Sequence, residues 1–572
     1  MASTDPAGTE AAGTEAAGIE VASTEAAAPA PWWVRWWPGA VAIALLAAMA
    51  FAMVSTAVAQ TPTIDEPVYI TASAVYLREH RVRFNAEHPP LGKLIMEAGL
   101  AFTHPRLDPA YVAPRGSYGA MQRAVSRHLM YESGNDPQRL LLAARLPMIL
   151  LTLLFGFVVF AFATDLAGPV GGLLALTLYA FSPDLIAHGS LATLDVPAAG
   201  FVLTSVALLW RARARPRLYL PLAGVALGAA LATRANTLAV VPALLALVVW
   251  AGHRDLGHRD LGRRNLLKAT ATAAGVGVIA VAVVWVAYLA VDPHLRWAAP
   301  DAVPALHGLR RLAVDLLPFP PSYRDGVRLQ FGIDARGADT FLFGHHYDGP
   351  VWYYLPAAML VKTPLGMLLL WLAAVVVMVR VPRFRVAASY LLIPPVVLFA
   401  AVAASNRDYG TRYAIFVPMF GAVAVAALVT LRWRWATVST AVLALFVAVS
   451  SARTFPYYLP YSNEAFGGPA KTYRQLHDSN VDWGQDLGRL ADRLRERYPG
   501  ERVWLVYKGS GVPAYYGIRS RNPLRERPER VRGLLVVSDT YIDLAEPPLR
   551  TLLETSEPID TVGHSITIFR RA

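Results

Sequence analysis

The sequence predicts an α-helical polytopic membrane protein with a small α/β domain at its C-terminal end. Hydrophobic residues make up 55% of the 572 residues and charged residues only 16%, whereas soluble domains usually carry about a quarter charged residues. Apolar runs of about 20 residues recur along the chain, and this is the length that an α-helix needs to cross a bilayer. We therefore expect about eleven transmembrane helices of that length.

The predicted spans follow the apolar runs in order. They are residues 38–60, 141–163, 168–186, 190–210, 218–233, 236–252, 269–291, 356–379, 387–404, 413–430 and 435–451. Between residues 218 and 252, Arg234 and Asn236 interrupt the apolar run, which indicates two short or broken helices.

Basic loops predict how the chain is oriented. The loops at 211–217, 254–268, 380–385 and 432–434 are rich in arginine and lysine, and all fall on the side of the N-terminus. The positive-inside rule makes that side cytoplasmic. The other loops and the tail from Arg453 then lie outside. Because the Ala/Arg-rich composition is typical of a GC-rich bacterial genome, we expect a multi-pass protein of a bacterial cell (inner) membrane.

The net charge of +12 does not indicate a nucleic-acid-binding protein. The basic residues stand mostly in short loops beside apolar runs, a pattern typical of membrane topology and of contact with anionic lipids. We expect membrane lipid as a partner and no nucleic acid. The chain has no cysteine, which excludes disulfides, thiolate chemistry and Cys-ligated zinc.

The sequence divides into three predicted parts. Residues 1–37 are a cytoplasmic segment whose Ala/Gly/Thr/Glu-rich start is expected to be disordered and whose tryptophan-rich end suits a membrane interface. Residues 38–452 are the transmembrane domain, with a long first outer loop at 61–140. Residues 453–572 are an α/β domain outside the membrane. Its predicted elements are strands at 504–509, 533–539 and 565–571 and a helix at 487–498.

Two adjacent carboxylates, Asp65 and Glu66, stand at the outer end of the first span. Charge at the mouth of a membrane segment is costly to desolvate and usually has a function. Helix capping by Asp65, with Pro67 in the first turn, explains one carboxylate but not two. We interpret them as catalytic residues. One could act as general base on an acceptor hydroxyl, or the pair could hold a divalent cation, with Asp195 as the third candidate ligand.

Positive side chains on the predicted outer side form a candidate phosphate site. His88 and Lys93 lie in the motif EHPPLGK, for which a surface turn with a snorkelling lysine is the alternative. Arg145 and Arg234 stand at span ends or inside apolar runs, and Arg412 lies in an outer turn. Arginines on the outer side oppose the usual bias, so an anionic ligand is the favoured explanation.

Polar residues also mark a short outer turn, SPDLIAHGSLATLDVP. We expect His188 and Asp195 of this turn to bind substrate; capping is the alternative for Asp195, and a transporter carboxylate would look the same. In the tail, four residues match the start of a calcium loop: Asp478, Asn480, Asp482 and Asp486. The match is incomplete, because Trp483 replaces the usual glycine and Arg489 the usual glutamate. A capped helix start is the alternative.

An ordered set of motifs carries a family resemblance. The motifs are DEPVY (65–69), EHPPLGK (87–93), AARLP (143–147), SPDLIAHGSLATLDVP (182–197), LATRANTL (231–238), VKTPLGMLLL (361–370) and GTRYAIFVP (410–418). They resemble bacterial GT-C membrane glycosyltransferases, namely the protein O-mannosyltransferase-like family (glycosyltransferase family 39) and the lipid A aminoarabinose transferases. The segment GGPAKTYRQLHDSNVDWGQDL (467–487) looks like that of a subgroup with an extra outer domain.

The resemblance implies that a sugar moves, with inversion, from a polyprenyl-phosphate carrier to an extracytoplasmic protein, lipid or polysaccharide. Asp65 matches the family's catalytic aspartate, with Glu66 beside it. Arg145 matches an arginine that supports the donor phosphate or the loop, and Asp195 matches a second acidic position. His88 stands where aminoarabinose transferases have a phosphate-binding lysine, for which Lys93 is the candidate substitute.

Two rival functions remain open. A transporter or flippase of lipid-linked sugars would favour charges at the midplane of spans and an internal repeat. No clear repeat is visible and the charges cluster at outer span ends, which favours the enzyme. A non-catalytic assembly factor of the same fold would tolerate loss of Asp65. A divalent cation is a possible cofactor.

Overall fold

The computed structural model describes residues 32–108, 110–111, 116–254, 263–337 and 339–572. Residues 1–31, which include the start that is predicted to be disordered, therefore lie outside the described residues. The first helix begins at Trp32, and Trp36 and Trp37 are 71% and 42% exposed. Exposed tryptophans at this end of the helix suit the predicted membrane interface.

The helices up to the predicted cytoplasmic loop at 254–268, and the one that follows it, include one long helix. They are α1 (Trp32–Ala59), α2 (Glu66–Glu79), α3 (Leu91–Leu100), α4 (Tyr118–Arg127), α5 (Pro137–Ala180), α6 (Pro183–Gly189), α7 (Asp195–Ala212), α8 (Pro216–Thr233), α9 (Val241–Arg254) and α10 (Arg263–Val291). The long helix α5 packs against α1, α3 and α7, so the first outer loop rests directly on the membrane bundle.

The remaining membrane domain contains short helices, a hairpin and further spans. The elements are α11 (Gly308–Asp315), α12 (Pro321–Ala335), the antiparallel strands β1 (Thr340–Leu342) and β2 (His345–Tyr347), α13 (Tyr354–Lys362), α14 (Leu365–Arg380), α15 (Arg385–Ala403), α16 (Phe416–Val425) and α17 (Arg434–Thr454).

The described helices match the predicted spans. Eight are long and apolar enough to cross a membrane, or nine if α13 and α14, bent by 118°, form one span. Helix α5 covers the two predicted spans 141–163 and 168–186. Gly168, which adopts φ 77°, forms a kink between them. A shorter apolar helix at Phe416–Thr430 corresponds to the predicted span 413–430. The polytopic α-helical fold class is confirmed.

The predicted break near Arg234 is present. Helix α8 ends at Thr233, Arg234 is extended with φ −151° and ψ 127°, and a 3₁₀ segment, Ala235–Val240, leads into α9. A charged side chain inside an apolar run is rare and is usually paired, and at this break the Arg234 guanidinium pairs with Asp195. Arg234 is therefore held at the break.

The first outer loop is folded rather than extended. Helices α2 and α3 pack together and onto α5 through a buried apolar cluster that includes Ile70, Met96, Met130, Leu141 and Met148. This cluster forms a fixed platform at the outer end of the bundle. Asp65 lies directly before α2, and its position is therefore set by packing.

The predicted C-terminal α/β domain is confirmed. Its helices are α18 (Leu487–Arg497) and α19 (Pro547–Glu554), and its strands are β3 (Val503–Val506), β4 (Ser520–Arg521), β5 (Gly533–Ser538), β6 (Glu557–Val562) and β7 (Ile566–Arg571). The strand order is β4-β3-β5-β7-β6, with β3 parallel to both β4 and β5. Along β5, Leu534 and Val536 pack towards α18 while Leu535 and Val537 pack towards α19, as alternating side chains of a strand must.

Candidate active site

Asp65 and Glu66 are neighbours in sequence but lie in different surroundings. Asp65 is 30% exposed at its side chain and accepts a 2.6 Å hydrogen bond from Arg412 Nη1. Its side chain makes no capping hydrogen bond to α2, so capping does not explain it. Glu66 is fully buried. Of the two carboxylates, Asp65 therefore has the access that a reacting group needs.

Glu66 forms a buried ion pair with Arg145. Arg145 Nε and Nη2 each donate at 2.7 Å to the carboxylate, which also accepts from the amides of Thr63 and Ala192. Burial alone would raise the pKa of Glu66, but the charge and hydrogen bonds of Arg145 hold it below its usual value. The pair ties the loop before α2 to α5 and to the turn before α7.

Arg145 has no donor left for a phosphate. Its five N–H groups go to Glu66 and to the carbonyl oxygens of Ala57, Gln60 and Thr61. The side chain is fully buried. The geometry corrects the expected phosphate-binding role of Arg145 and the catalytic role of Glu66. Both residues hold the loop that carries Asp65. For Arg145, support of the loop was the second of the two roles that the resemblance implied.

Asp65 lines a polar cavity of about 230 Å³. Its wall combines carboxylate, amide, imidazole, phenol and guanidinium groups: Asp65, Tyr69, Asn85, Glu87, His88, Gln122, Arg123, Arg407, Tyr409, Arg412 and Tyr413. The apolar residues Ile64, Val68 and Ile333 complete it. A cavity with many hydrogen-bonding groups beside one accessible carboxylate suits a polyhydroxylated substrate.

His88 reaches this cavity, whereas Lys93 does not line it. Lys93 Nζ is buried and donates to the carbonyl oxygens of Asn85 and His88, each at 2.7 Å. Burial lowers the pKa of Lys93 to about 7. Lys93 thus shapes the turn from inside, which corrects its expected contact with phosphate.

His88 is neutral in this setting. Burial lowers its pKa well below the usual value, and the nearby cations Arg234, Lys93, Arg407 and Arg412 lower it further. Its Nδ1 lies 3.4 Å from Gln330 Nε2. A neutral imidazole can bind a phosphate oxygen as a hydrogen-bond donor but not as a charge.

A second cavity, of about 440 Å³, adjoins the first. We call it the arginine groove. Three arginines line it, Arg234, Arg310 and Arg407, together with apolar side chains that include Leu238, Val327, Phe331 and Val402. Arg407 and Tyr413 line both cavities. Positive charge on an apolar wall therefore leads to the cavity of Asp65.

Arg234 and Asp195 form a buried pair at the break between α8 and α9. The Arg234 guanidinium donates to Asp195, and both side chains are less than a tenth exposed. The guanidinium also lies 5.0 Å from the Tyr413 ring. Asp195, Arg234, Arg412 and Tyr413 line one narrow cleft, so the expected acidic position lies beside the site, with its charge compensated.

His188 stands apart from the two cavities. It is 1% exposed, neither ring nitrogen has a hydrogen-bond partner among the described residues, and its ring centroid lies 6.2 Å from that of Trp483 in an edge-to-face arrangement. Neither cavity is lined by it. These two cavities therefore do not support the expected contact between His188 and substrate.

The carboxylates do not converge on a cation. Asp65, Glu66 and Asp195 each pair with a different arginine, Arg412, Arg145 and Arg234 respectively. In the tail, the partners are Lys508 for Asp478, the Thr411 amide for Asn480, the Gly484 amide for Asp482 and Ser565 for Asp486. Across the described ranges, no group of three His, Asp or Glu could hold a metal. None of these contacts supports the predicted calcium loop.

The same tail segment instead contacts the loop that carries Asp65. Thr61 and Ile64 donate backbone hydrogen bonds to the carbonyl oxygens of Gln485 and Trp483, at 2.9 and 3.0 Å. Ser510 Oγ donates to the Thr63 carbonyl at 2.8 Å. Sequence reasoning did not find this contact. In the sequence, the only indication that this segment has another role was Trp483, which stands where a calcium loop has glycine.

A family model described as Dolichyl-phosphate-mannose-protein mannosyltransferase matches residues 138–288. The match runs from α5 to α10 and includes Arg145, Asp195 and Arg234 but not Asp65. Over this segment the match confirms the predicted resemblance to protein O-mannosyltransferase-like membrane glycosyltransferases. A search of curated proteins gave no match.

Solved structures similar to the chain include ArnT from Cupriavidus metallidurans. Bound to undecaprenyl phosphate, it is 16% identical with a TM-score of 0.44, covering 95% of this chain and 98% of ArnT. In the apo state ArnT is 15% identical with a TM-score of 0.47, covering 94% of this chain and 98% of ArnT. A third similar structure is archaeal oligosaccharyltransferase AglB from Archaeoglobus fulgidus in complex with an inhibitory peptide and a dolichol-phosphate. It is 14% identical with a TM-score of 0.46, covering 82% of this chain and 59% of AglB. These TM-scores lie below 0.5 and carry no conclusion about this chain.

Proposed function

We propose that this chain is a membrane glycosyltransferase. It moves a sugar from a polyprenyl-phosphate-linked donor to a hydroxyl group of an acceptor outside the membrane. The observation that carries the proposal is the joining of two cavities: one holds the accessible carboxylate Asp65, and the other is the arginine groove. The match over residues 138–288 to a family named for a dolichyl-phosphate sugar supports the same donor class.

The arginine groove suits a phosphate attached to a long apolar chain. Arg234 and Arg407 lie on its wall with protein partners of their own, Asp195 for Arg234 and Gln330 and Asp334 for Arg407, so phosphate binding requires these contacts to open. Arg407 reaches the wall shared by both cavities. Guanidinium groups bind phosphate oxygens with two parallel hydrogen bonds. The apolar wall, with Phe331 and Val402, offers contact to isoprenoid carbons. The phosphate would then lie beside the cavity of Asp65, where the sugar fits.

The reaction needs one base and a stabilised leaving group. Asp65 accepts the proton of the acceptor hydroxyl while the hydroxyl oxygen forms its bond to the anomeric carbon. The bond from that carbon to the phosphate oxygen breaks, and its electron pair leaves with the polyprenyl phosphate. Arg407 and Arg234 stabilise the charge that develops there. Attack opposite the leaving group inverts the anomeric centre.

Arg412 has a separate role in this scheme. It holds one oxygen of Asp65 by a 2.6 Å hydrogen bond and lines the same cavity. The contact fixes the direction of the base before substrate binds, because a guanidinium presents its N–H groups in a rigid plane. His88 completes the wall as a neutral donor.

The main rival is a transporter or flippase of lipid-linked sugars. It would need alternating access around a site near the membrane midplane. Here Asp65 and Arg412 precede α2 and α16 instead of lying inside spans. Their position at helix ends favours transfer at the predicted outer surface.

Donor consumption separates these functions. Membranes containing the wild type or Asp65→Asn are given polyprenyl phosphates carrying radiolabelled hexoses or aminopentoses, and label lost from the lipid is counted. Asp165→Asn is the matched control, because Asp165 also pairs with an arginine and is also 30% exposed. We expect consumption by the wild type and the control only. Donor that crosses the bilayer intact would establish the transporter, and equal consumption by Asp65→Asn would remove Asp65 from the mechanism.

A further inference from the structure

Helix α11 exposes three leucines at the edge of the membrane domain. Leu309 is 84% exposed, Leu312 is 55% exposed, and Leu316, directly after the helix, is 72% exposed. Three leucines so exposed in a span of eight residues are unusual on a surface that faces water, since such a patch usually marks an interaction site.

The helical period sorts the side chains of α11 into separate faces. At about 100° per residue, Leu309, Leu312 and Leu316 fall within a sector of about 60°. Val314, which is buried, projects to the protein side, and Arg310 on that side lines the arginine groove. Arg311 and Asp315 pair with each other at 3.4 Å on the remaining face. The helix is amphipathic, with its apolar face turned away from the protein.

Contacts with the membrane span α10 give the depth of this segment. Trp285 Nε1 donates a 2.9 Å hydrogen bond to the Pro318 carbonyl, just beyond Leu316. Trp285 lies six residues before the end of α10 at Val291, which is about 9 Å along a helix axis. The chain after α11 therefore descends below the outer end of a span.

A second contact supports the same depth. The rings of Tyr323 in α12 and Tyr288 in α10 lie 6.2 Å apart, and Phe319 packs on Tyr323 at 4.4 Å. Tyr288 is less than one turn from the end of α10. At this level Val286 and Leu289 of α10 are also exposed, by 64% and 40%. Exposed apolar side chains are therefore present on α10 as well as on α11 near this end of the span.

We propose that α11 and the turn after it form a membrane-inserted interfacial helix beside the arginine groove. The partner is the hydrocarbon of the outer lipid leaflet, into which Leu309, Leu312 and Leu316 insert. Arg311 stays at the level of the lipid headgroups. An apolar face backed by basic residues is the arrangement of helices that lie in a membrane interface. This inference concerns the membrane alone and stands whether or not the proposed function is correct.

The absence of cysteine from the chain allows a direct test. Single cysteines are placed at Leu312 or Leu316, labelled with an environment-sensitive fluorophore, and the full chain is reconstituted in phospholipid vesicles. Arg311→Cys is the matched control on the same helix. Each labelled protein must keep the elution profile and the thermal midpoint of the wild type, and two apolar positions are used so that one poorly folded variant does not decide.

The quenching pattern decides between lipid and water. We expect nitroxide-labelled acyl chains to quench fluorescence at positions 312 and 316 at least twofold more than at 311, and iodide to show the reverse order. Iodide quenching of 312 and 316 equal to that of 311 would overturn the proposal. So would protection of both positions from iodide and nitroxide together with energy transfer between labelled copies, which would assign the leucines to contact between two copies.

Discussion

Arg412 donates a 2.6 Å hydrogen bond to Asp65, although 347 positions separate the two residues. The contact joins the start of α2 to the turn before α16. The same guanidinium lies 4.2 Å from the ring of Trp483, which belongs to the tail. Three distant segments therefore meet at the proposed base, and each should influence its action.

Replacing Trp483 tests whether the tail positions Arg412. Trp483→Ala removes the ring beneath the guanidinium, a contact that is worth about 2 kcal/mol when desolvated. We expect kcat for sugar transfer to fall roughly 10- to 30-fold, with less than about a threefold change in the donor KM. Trp483→Phe keeps an aromatic face and should recover most of the rate. Trp352→Ala, at a tryptophan that is 77% exposed, is the control.

A purely structural role of Trp483 would give a different pattern. The Phe variant would then be as slow as the Ala variant, or both would lower the thermal midpoint in proportion to their loss of rate. Either result would show that Trp483 does not act by orienting Arg412.

The buried pair of Glu66 and Arg145 should govern stability. Glu66→Gln leaves Arg145 buried without a counter-charge, and breaking such a pair costs about 3–5 kcal/mol. We expect a clear fall in the thermal midpoint of the detergent-solubilised protein. Asp65→Asn also removes the counter-charge of a buried arginine, Arg412, but it should lower stability less than Glu66→Gln because the Asp65 side chain is 30% exposed. An unchanged midpoint for Glu66→Gln would contradict the structural role of the pair.

Lys93 predicts a specific dependence of stability on pH. Burial lowers its pKa in the folded protein to about 7, whereas an unfolded lysine has a pKa of about 10.4. Between these values the unfolded chain binds more protons, so Lys93 makes stability rise with pH. The thermal midpoint of the wild type minus that of Lys93→Met should therefore increase from about pH 7 to about pH 9. A constant difference would show that the ammonium is not desolvated.

Arg407 is the residue that we expect to matter most for the carrier phosphate. A hydrogen bond to a charged group is worth about 1.5–3 kcal/mol, so Arg407→Gln should weaken polyprenyl-phosphate binding roughly 10- to 100-fold. Arg336→Gln makes the same charge change at an exposed residue that does not line the arginine groove. Equal affinities for the two variants, measured by titration in detergent, would remove Arg407 from the phosphate site.

Local patterns in the sequence predicted most of the fold. Apolar runs marked the spans, and Arg234 marked a special position because charged side chains are rare inside membrane spans and are usually paired. The strands of the tail were visible from their composition, since a continuous apolar run such as residues 534–537 is typical of a strand that is buried on both faces. Helix α5 covers two predicted spans, and Gly168, with φ 77°, marks the break between them.

The candidate site was less predictable because its partners are distant in sequence. Nothing local distinguishes Asp65 from Glu66; the difference arises from Arg145, which lies 79 positions from Glu66. Lys93 and His88 belong to one motif, yet helix α3 buries the first and leaves the second at the cavity wall. Side-chain direction after folding, rather than residue type, assigns these roles.

The central claim is that Asp65 acts in the chemical step, and single-turnover transfer tests it most directly. Purified protein is mixed with limiting radiolabelled polyprenyl-phosphate sugar and its acceptor, once the donor panel has identified them, and donor binding is measured on the same samples. We predict that Asp65→Asn binds the donor within about threefold of the wild type but transfers about 10²- to 10⁴-fold more slowly. Transfer by Asp65→Asn at the rate of the wild type would contradict the account.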